Sequence, residues 1–317
     1  MKLGYFTMPV HPPARRYVET LKEDREAFIL ADRLGYSEGY CGEHLTDAAE
    51  NIPNSMMFIA TLLGATSQMK VGTAVVNLPH SHPVVVASNA AMLDNLFEGR
   101  FILGIGAGIL RSDAEALGLL DADRNDMFAE AIDHILALWA GTAPIDRKGK
   151  YWTISTVETL WPEVGIGDIV KPYQKPHPPI AGTATDPDSK GLIALGRRGW
   201  WPISSHFLHP NCLKSQWANY AKGCAEGCRA CKVHGGGMTP PLENNQTQRC
   251  SPCRPSLKTS SSPACSAFSR SRMHRPKPAS CYCRPSSGST PSSAATPRRS
   301  PVPASPPRSG TTTRVCR

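Results

Sequence analysis

A glutamate and a histidine stand side by side at Glu43-His44, just after a short apolar run. Imidazole is the side chain that most readily takes up and releases a proton near neutral pH. A lone histidine is more often structural or solvated, so its placement in the fold has to decide its role. Further along comes Gly104-x-Gly106-x-Gly108. This is not the dinucleotide-binding spacing Gly-x-Gly-x-x-Gly, and no acid follows at the distance such a unit requires. Two readings remain: a tight strand-to-helix turn, or a loop whose missing side chains let a flat cofactor approach the backbone. Ser112-Asp113 reads as a cap for the helix that follows. Arg124, near the start of another helix, is ordinarily a solvated charge and is also a group that can meet a phosphate. His80-x-His82 brings two imidazoles together, but no further ligand type is near, so no metal is expected.

These residues need elements to position them, and the first 220 or so residues supply a regular alternation. Lys2–Phe6, Ser37–Gly42, Val71–Leu78, Phe101–Ile105, Pro179–Gly182 and Trp201–Ser205 read as strands. Val71–Leu78 is almost wholly apolar, as a parallel strand buried on both faces should be. Val18–Leu34, Met56–Thr66, Val84–Leu96, Asn125–Trp139, Ser189–Arg197 and Leu213–Gly223 read as helices. Gly35 stops the first of them, and Pro83 opens the third at a favoured first-turn position. A hairpin is expected around Tyr151-Trp152-Thr153. Strand–helix alternation implies α/β with a parallel sheet. Without a dinucleotide fingerprint, a (β/α)8 barrel of the TIM type is favoured over a doubly wound sheet. A full barrel takes eight units over typically about 250 residues. Six units are counted here, so the barrel is expected to be incomplete, with open strand edges and impaired activity.

The barrel rule also explains where the chemistry should lie, because active sites collect at the C-terminal ends of the strands. Met8-Pro9-Val10-His11, Gly42-Glu43-His44, Asn77-Leu78-Pro79-His80, Gly104–Gly108, Thr183-Ala184-Thr185-Asp186 and Ser204-Ser205-His206 all follow strands. Glycines and hydrogen-bonding residues recur at each of these ends.

Composition divides the chain near Cys224. From there to Arg317 lie 15 of the 35 basic residues but only two of the 26 acids, Glu226 and Glu243. The overall formal charge of +9 is therefore a mildly acidic domain, 1–223, joined to a strongly basic tail, 224–317. Nine of the 11 cysteines and 14 of the 29 prolines are in that tail. Such a segment is too poor in large apolar residues to offset its ordering entropy, and it is expected to be disordered. Its Ser, Pro, Arg, Ala and Cys content is also what a GC-rich gene yields when read out of frame, and a frameshift is the origin expected for it. A competing reading takes Cys224, Cys228, Cys231 and His234, with Cys250-x-x-Cys253, as zinc ligands in a basic, nucleic-acid-binding tail of an inactive fragment. Chance clustering explains the same cysteines, so neither zinc nor nucleic acid is expected. The body has two scattered cysteines, no apolar run long enough for a membrane helix and no signal-peptide pattern, which points to a cytoplasmic location.

Several stretches, in order, resemble the bacterial luciferase-like family of flavin monooxygenases. They are Met1-Lys2-Leu3-Gly4-Tyr5-Phe6, Gly42-Glu43-His44, Val71–Pro79 with His82-Pro83, and Leu93-Asp94. Gly99-Arg100-Phe101, Gly104–Gly108, Ser112-Asp113-Ala114 and Pro172–Pro179 continue the likeness. The Ser112-Asp113 variant is most similar to limonene monooxygenase-like members. The resemblance implies an incomplete barrel that binds reduced FMN, or FAD, and uses O2 to oxygenate a small apolar organic substrate. It also implies a flavin reductase as partner and is compatible with a homodimer. His44 would be the catalytic acid/base. Glu43, Asn77, Gly106, Ala107 and Gly108 would line the cofactor, and Ala74-Val75 would be joined by a non-prolyl cis peptide beneath it. Thr183 and Ser189 would sit where the phosphate binds, and Arg124, the charge that can meet a phosphate, is a further candidate for cofactor binding. Ala107 stands where luciferase itself uses an arginine, so light emission is not implied. A deazaflavin-dependent hydride-transfer enzyme on the same barrel is the alternative activity.

Overall fold

A computed structural model describes residues 2–205 and 207–233, with side chains through residue 227. His206, His234, Cys250, Cys253 and the remaining tail lie outside the described residues, as do the side chains of Cys228 and Cys231. The strands are β1 (Gly4–Thr7), β2 (Glu38–Cys41), β3 (Lys70–Thr73), β4 (Val76–Asn77), β5 (Phe101–Gly106), β6 (Asp146–Lys148), β7 (Thr153–Ser155), β8 (Ile180–Ala184) and β9 (Trp201–Ser204). The helices are α1 (Tyr17–Arg33), α2 (Ser55–Ala60), α3 (Pro83–Leu96), α4 (Arg111–Ala116), α5 (Arg124–Ala140), α6 (Gly191–Arg198) and α7 (Cys212–Val233).

The main sheet runs β1-β2-β3-β5-β8-β9, parallel throughout, with β4 also pairing to β5. Helices follow each strand, so the sheet is a curled part-barrel of six β/α units. β6 and β7 form the expected hairpin. The central strand β5 is buried from Phe101 to Ile105. Phe28, Ile59, Leu62, Met69, Val71, Phe97 and Leu103 pack the main core between sheet and helices.

Three sequence expectations change. The strand over Val71–Leu78 is two pieces, β3 and β4, interrupted where the Ala74–Val75 peptide is cis, as the resemblance implied. The helix over Met56–Thr66 is α2, ending at Ala60. Asn54 caps its start by accepting from the Met57 N–H at 2.8 Å. After Ala60 the N–H groups of Thr61, Leu62 and Leu63 turn back to carbonyls three residues earlier, and Gly64 takes φ 75°, so the helix tightens and stops. The helix expected to end at Gly223 continues as α7 to Val233. Close crossing of α6 explains that continuation: Cβ atoms on Gly196, Gly223 or Gly227 would run into the backbone of the facing helix, and Cys224 is buried there.

Candidate functional site

The loop after β2 carries Glu43 and His44, and three neighbouring elements fix it. Glu43 Oε2 accepts from the Ser55 N–H at 2.9 Å and the Ser55 hydroxyl at 2.7 Å, at the start of α2. Its Oε1 accepts from the Asn77 N–H at 3.1 Å, at the end of β4. Glu43 thus ties two strand ends to a helix N-terminus. Burial pushes its carboxyl up, against the pull of these donors and of His44.

His44 lies between two carboxylates. Its Nδ1 is 3.2 Å from Asp113 Oδ2, and its Nε2 is 3.3 Å from Glu50 Oε2. The sequence assigned Asp113 to helix capping, and the structure corrects this. The cap position of α4 is Leu110, which makes no side-chain cap bond, and Ser112 and Asp113 lie inside the helix. Asp113 points back across the barrel mouth, where its Oδ1 accepts from Leu45 N–H (3.1 Å), Thr46 N–H (2.8 Å) and the Thr46 hydroxyl (2.6 Å). Burial alone would raise this carboxyl, but the bonds from Thr46, His44 and Leu45 outweigh it and hold Asp113 below the ordinary aspartate range. An ionised Asp113 orients the imidazole through Nδ1.

The glycine loop forms the adjoining wall. A Cβ on Gly104 would overlap the carbonyl oxygen of Thr73, and Thr73 Oγ1 bridges both the N–H and the carbonyl of Gly104 at 2.9 and 2.7 Å. A Cβ on Gly106 would stand 2.5 Å from Val75 Cγ2. Gly108 has φ 77° and faces His80 and Asn77. The tight-packing reading of this motif holds, and Gly106, Ala107 and Gly108 are partly exposed and carry no side chain longer than a methyl. Arg124, the first residue of α5, donates to the Gly108 carbonyl at 2.6 Å. Burial pushes the His80 imidazole down, toward its neutral form, and its Nε2 has no hydrogen-bond partner among the described residues.

Glu43 is thus bound to Asn77, Asn77 pairs with Gly106, and Arg124 is bound to Gly108; His44 adjoins the group through Glu43, and Ala107 lies between Gly106 and Gly108. Ala74 precedes Val75, and its N–H donates to the Cys41 carbonyl at 2.7 Å, tying the end of β3 to β2. Thr183 and Ser189 stand one strand over. Gly182 is in register with Ile105, so Thr183 emerges at the same end of the sheet as Gly106. The turn between Thr183 and α6 is bound to α7: Asp186 O accepts from Gln216, Pro187 O from Ser215, and Asp188 Oδ1 from Asn219. No hydrogen bond in the described residues joins Thr183 or Ser189 to the His44 group. A cavity of about 510 Å3 lies on that side, among Ala184, Leu192, Ser204, Gln216, Trp217 and Tyr220, and it includes none of the His44 group. Sequence reasoning missed Asp113 and Glu50 as partners of His44, because no fixed spacing links them to it. No group of three or more potential metal ligands occurs among the described residues, and none of their helices is long and apolar enough to cross a membrane.

Residues 1–233 match the luciferase-like monooxygenase family. Limonene 1,2-monooxygenase of Rhodococcus erythropolis is 37% identical over 150 residues, 47% of this chain and 38% of that protein. The oxygenase component of the flavin-dependent trigonelline monooxygenase of Acinetobacter baylyi is 32% identical over 190 residues, 58% of this chain and 50% of that protein. Among solved structures, the oxygenating constituent of 3,6-diketocamphane monooxygenase from Pseudomonas putida, a type II Baeyer-Villiger monooxygenase in complex with FMN, superposes with a TM-score of 0.67 at 29% identity. That superposition covers 72% of this chain and 63% of the other. The chain spans less than two thirds of the length of each of these relatives.

Proposed function

The chain belongs to the luciferase-like monooxygenase family, and we propose from that premise that it is the oxygenase of a two-component flavin monooxygenase acting on a small apolar organic substrate. The observation that carries the reading is His44, oriented by a buried Asp113 and followed along the strand ends by a glycine loop flanked by Val75, Asn77 and His80. The site fits a planar cofactor: Gly106, Ala107 and Gly108 are partly exposed and have nothing longer than a methyl to obstruct a ring. Those residues, with Val75 and Asn77, would hold the ring of reduced FMN, while Arg124, Thr183 and Ser189 would hold its phosphate. When bound, the reduced flavin activates O2 for transfer of one oxygen atom to the substrate. His44 holds or moves a proton at its imidazole nitrogens during that transfer. Asp113 fixes the ring orientation, and Glu43 keeps the loop, α2 and β4 in register. A separate flavin reductase would supply the reduced cofactor, as the component name of the trigonelline enzyme suggests for that protein.

A homodimer belongs to the same proposal. Val85, Met92 and Leu96 form a stripe on α3 at helical spacing, and they are 51%, 60% and 41% exposed. A stripe of that kind favours burial against a second copy.

The test combines the full-length chain with a flavin reductase, NADH, FMN and 18O2, and offers a panel of monocyclic and bicyclic terpenes and their ketones. The proposal expects a product carrying one 18O atom that disappears in His44→Ala. Flavin reduction without 18O incorporation into any member of the panel would count against it.

A further inference from the structure

We propose that Glu50 is the second proton partner of His44, relaying protons between solvent and Nε2. The inference rests on the reading of His44 as the acid–base group of the site. Asp113 takes the Nδ1 side, so Nε2 is the nitrogen left for chemistry. That atom meets a second carboxylate, Glu50 Oε2, at 3.3 Å. A neutral imidazole that donates from Nδ1 presents a lone pair at Nε2. The two atoms lie within ion-pair distance, and a proton on Nε2 makes their contact attractive.

The loop is folded so as to create this contact. Asp47 Oδ1 accepts from the N–H groups of Ala49 and Glu50 at 2.7 and 3.0 Å, which turns the chain. The Ile52 carbonyl then accepts from the His44 N–H at 3.0 Å, bringing residue 50 back over residue 44. Outside the loop, Asn51 donates to Thr20 Oγ1 at 3.0 Å, and the Ala49 carbonyl accepts from the His11 N–H at 2.9 Å. The loop is thereby anchored to α1 and to the segment after β1, independently of Asp113. The side chains of His44 and Glu50 are 17% and 28% exposed, so Glu50 is the wetter of the two and stands on the water side. Glu43, Asp47 and Asp113 are the other carboxylates whose charge reaches His44 or its immediate partner, and His80 is the facing imidazole.

The proton balance is simple. When His44 gives its Nε2 proton to a reacting molecule, the Glu50 carboxylate takes a proton from water and passes it to Nε2, returning to its ionised form. When a reacting molecule loses a proton to Nε2, the same path runs outward.

Diethyl pyrocarbonate tests this on the full chain without flavin, because it modifies an imidazole nitrogen only when that nitrogen carries no proton. The rate at His44 is followed by peptide mass mapping in the wild type, Glu50→Gln and Glu50→Asp, with thermal unfolding as the check on folding. Glu50→Gln keeps the shape and removes the proton partner, so His44 should be modified about three- to fivefold faster, the upper range for losing one ion-pair contact. Glu50→Asp should return the rate toward wild type. Equal rates within twofold in wild type and Glu50→Gln would overturn the proposal. Failure of the flavin reading would show separately, as absence of FMN binding by the wild type with the rate difference intact.

Discussion

Replacing Asp113 by asparagine separates its charge from its shape. The aspartate accepts four hydrogen bonds, three on Oδ1 from Leu45 and Thr46 and one on Oδ2 from His44. It is fully buried. An asparagine can keep its carbonyl toward Leu45 and Thr46, but its amide then points an N–H donor at His44 Nδ1. The imidazole must accept at Nδ1 and carry its proton on Nε2. A hydrogen bond to a buried charge contributes about 1.5–3 kcal/mol against about 1 kcal/mol for a neutral one, so Asp113→Asn should lose about 1–2 kcal/mol. Asp113→Ala also strands the Leu45 and Thr46 N–H groups and should lose about 3 kcal/mol or more. Urea unfolding gives the stabilities, and long-range 15N correlations of the His44 ring give its tautomer. A variant within about 0.3 kcal/mol of wild type, with His44 still protonated on Nδ1, would refute the role given to Asp113.

Four further outcomes follow from the packing and the charges. Gly104→Ala should destabilise by about 3 kcal/mol or more, because its Cβ would meet the Thr73 backbone, which cannot rotate away. Gly4→Ala, whose Cβ would lie 3.8 Å from its nearest neighbour, should stay within about 0.5 kcal/mol in the same urea titration. Burial would raise the Asp32 carboxyl, but the N–H groups of Met69, Ser67 and Gln68 outweigh it and hold it below its ordinary value of 3.8. A depressed carboxyl contributes stability above the unfolded-state value and loses it as pH falls through the folded one. The stability gap between wild type and Asp32→Asn should therefore be wide at pH 7 and shrink below pH 3.8, by urea unfolding at each pH. Met92→Glu should convert a dimer to a monomer in sedimentation velocity, and a wild type that sediments as a monomer at all concentrations would remove the α3 interface.

Much of the fold was legible because parallel strands and amphipathic helices leave strong periodic marks. Val71–Leu78 read as one strand since both pieces are apolar and buried; the break between them lies in a peptide geometry that Ala74 and Val75 do not encode by type. The helix after Asn54 read too long because Leu62 and Leu63 continue an apolar pattern past the point where Gly64 turns the backbone. At the site, Glu43, His44 and the glycine loop were legible from their places at strand ends. Asp113 was not, because an acid in a helix's first turn looks like a cap whether it faces its own helix or reaches across to another loop. Glu50 was hidden for a related reason: it approaches His44 only through the turn set by Asp47 and closed by Ile52.

The most direct test of the account is an anaerobic titration of the full-length chain with reduced FMN, followed by calorimetry. The account predicts saturable binding near one equivalent, weakened in Arg124→Ala. A folded chain that shows no saturable binding would contradict it.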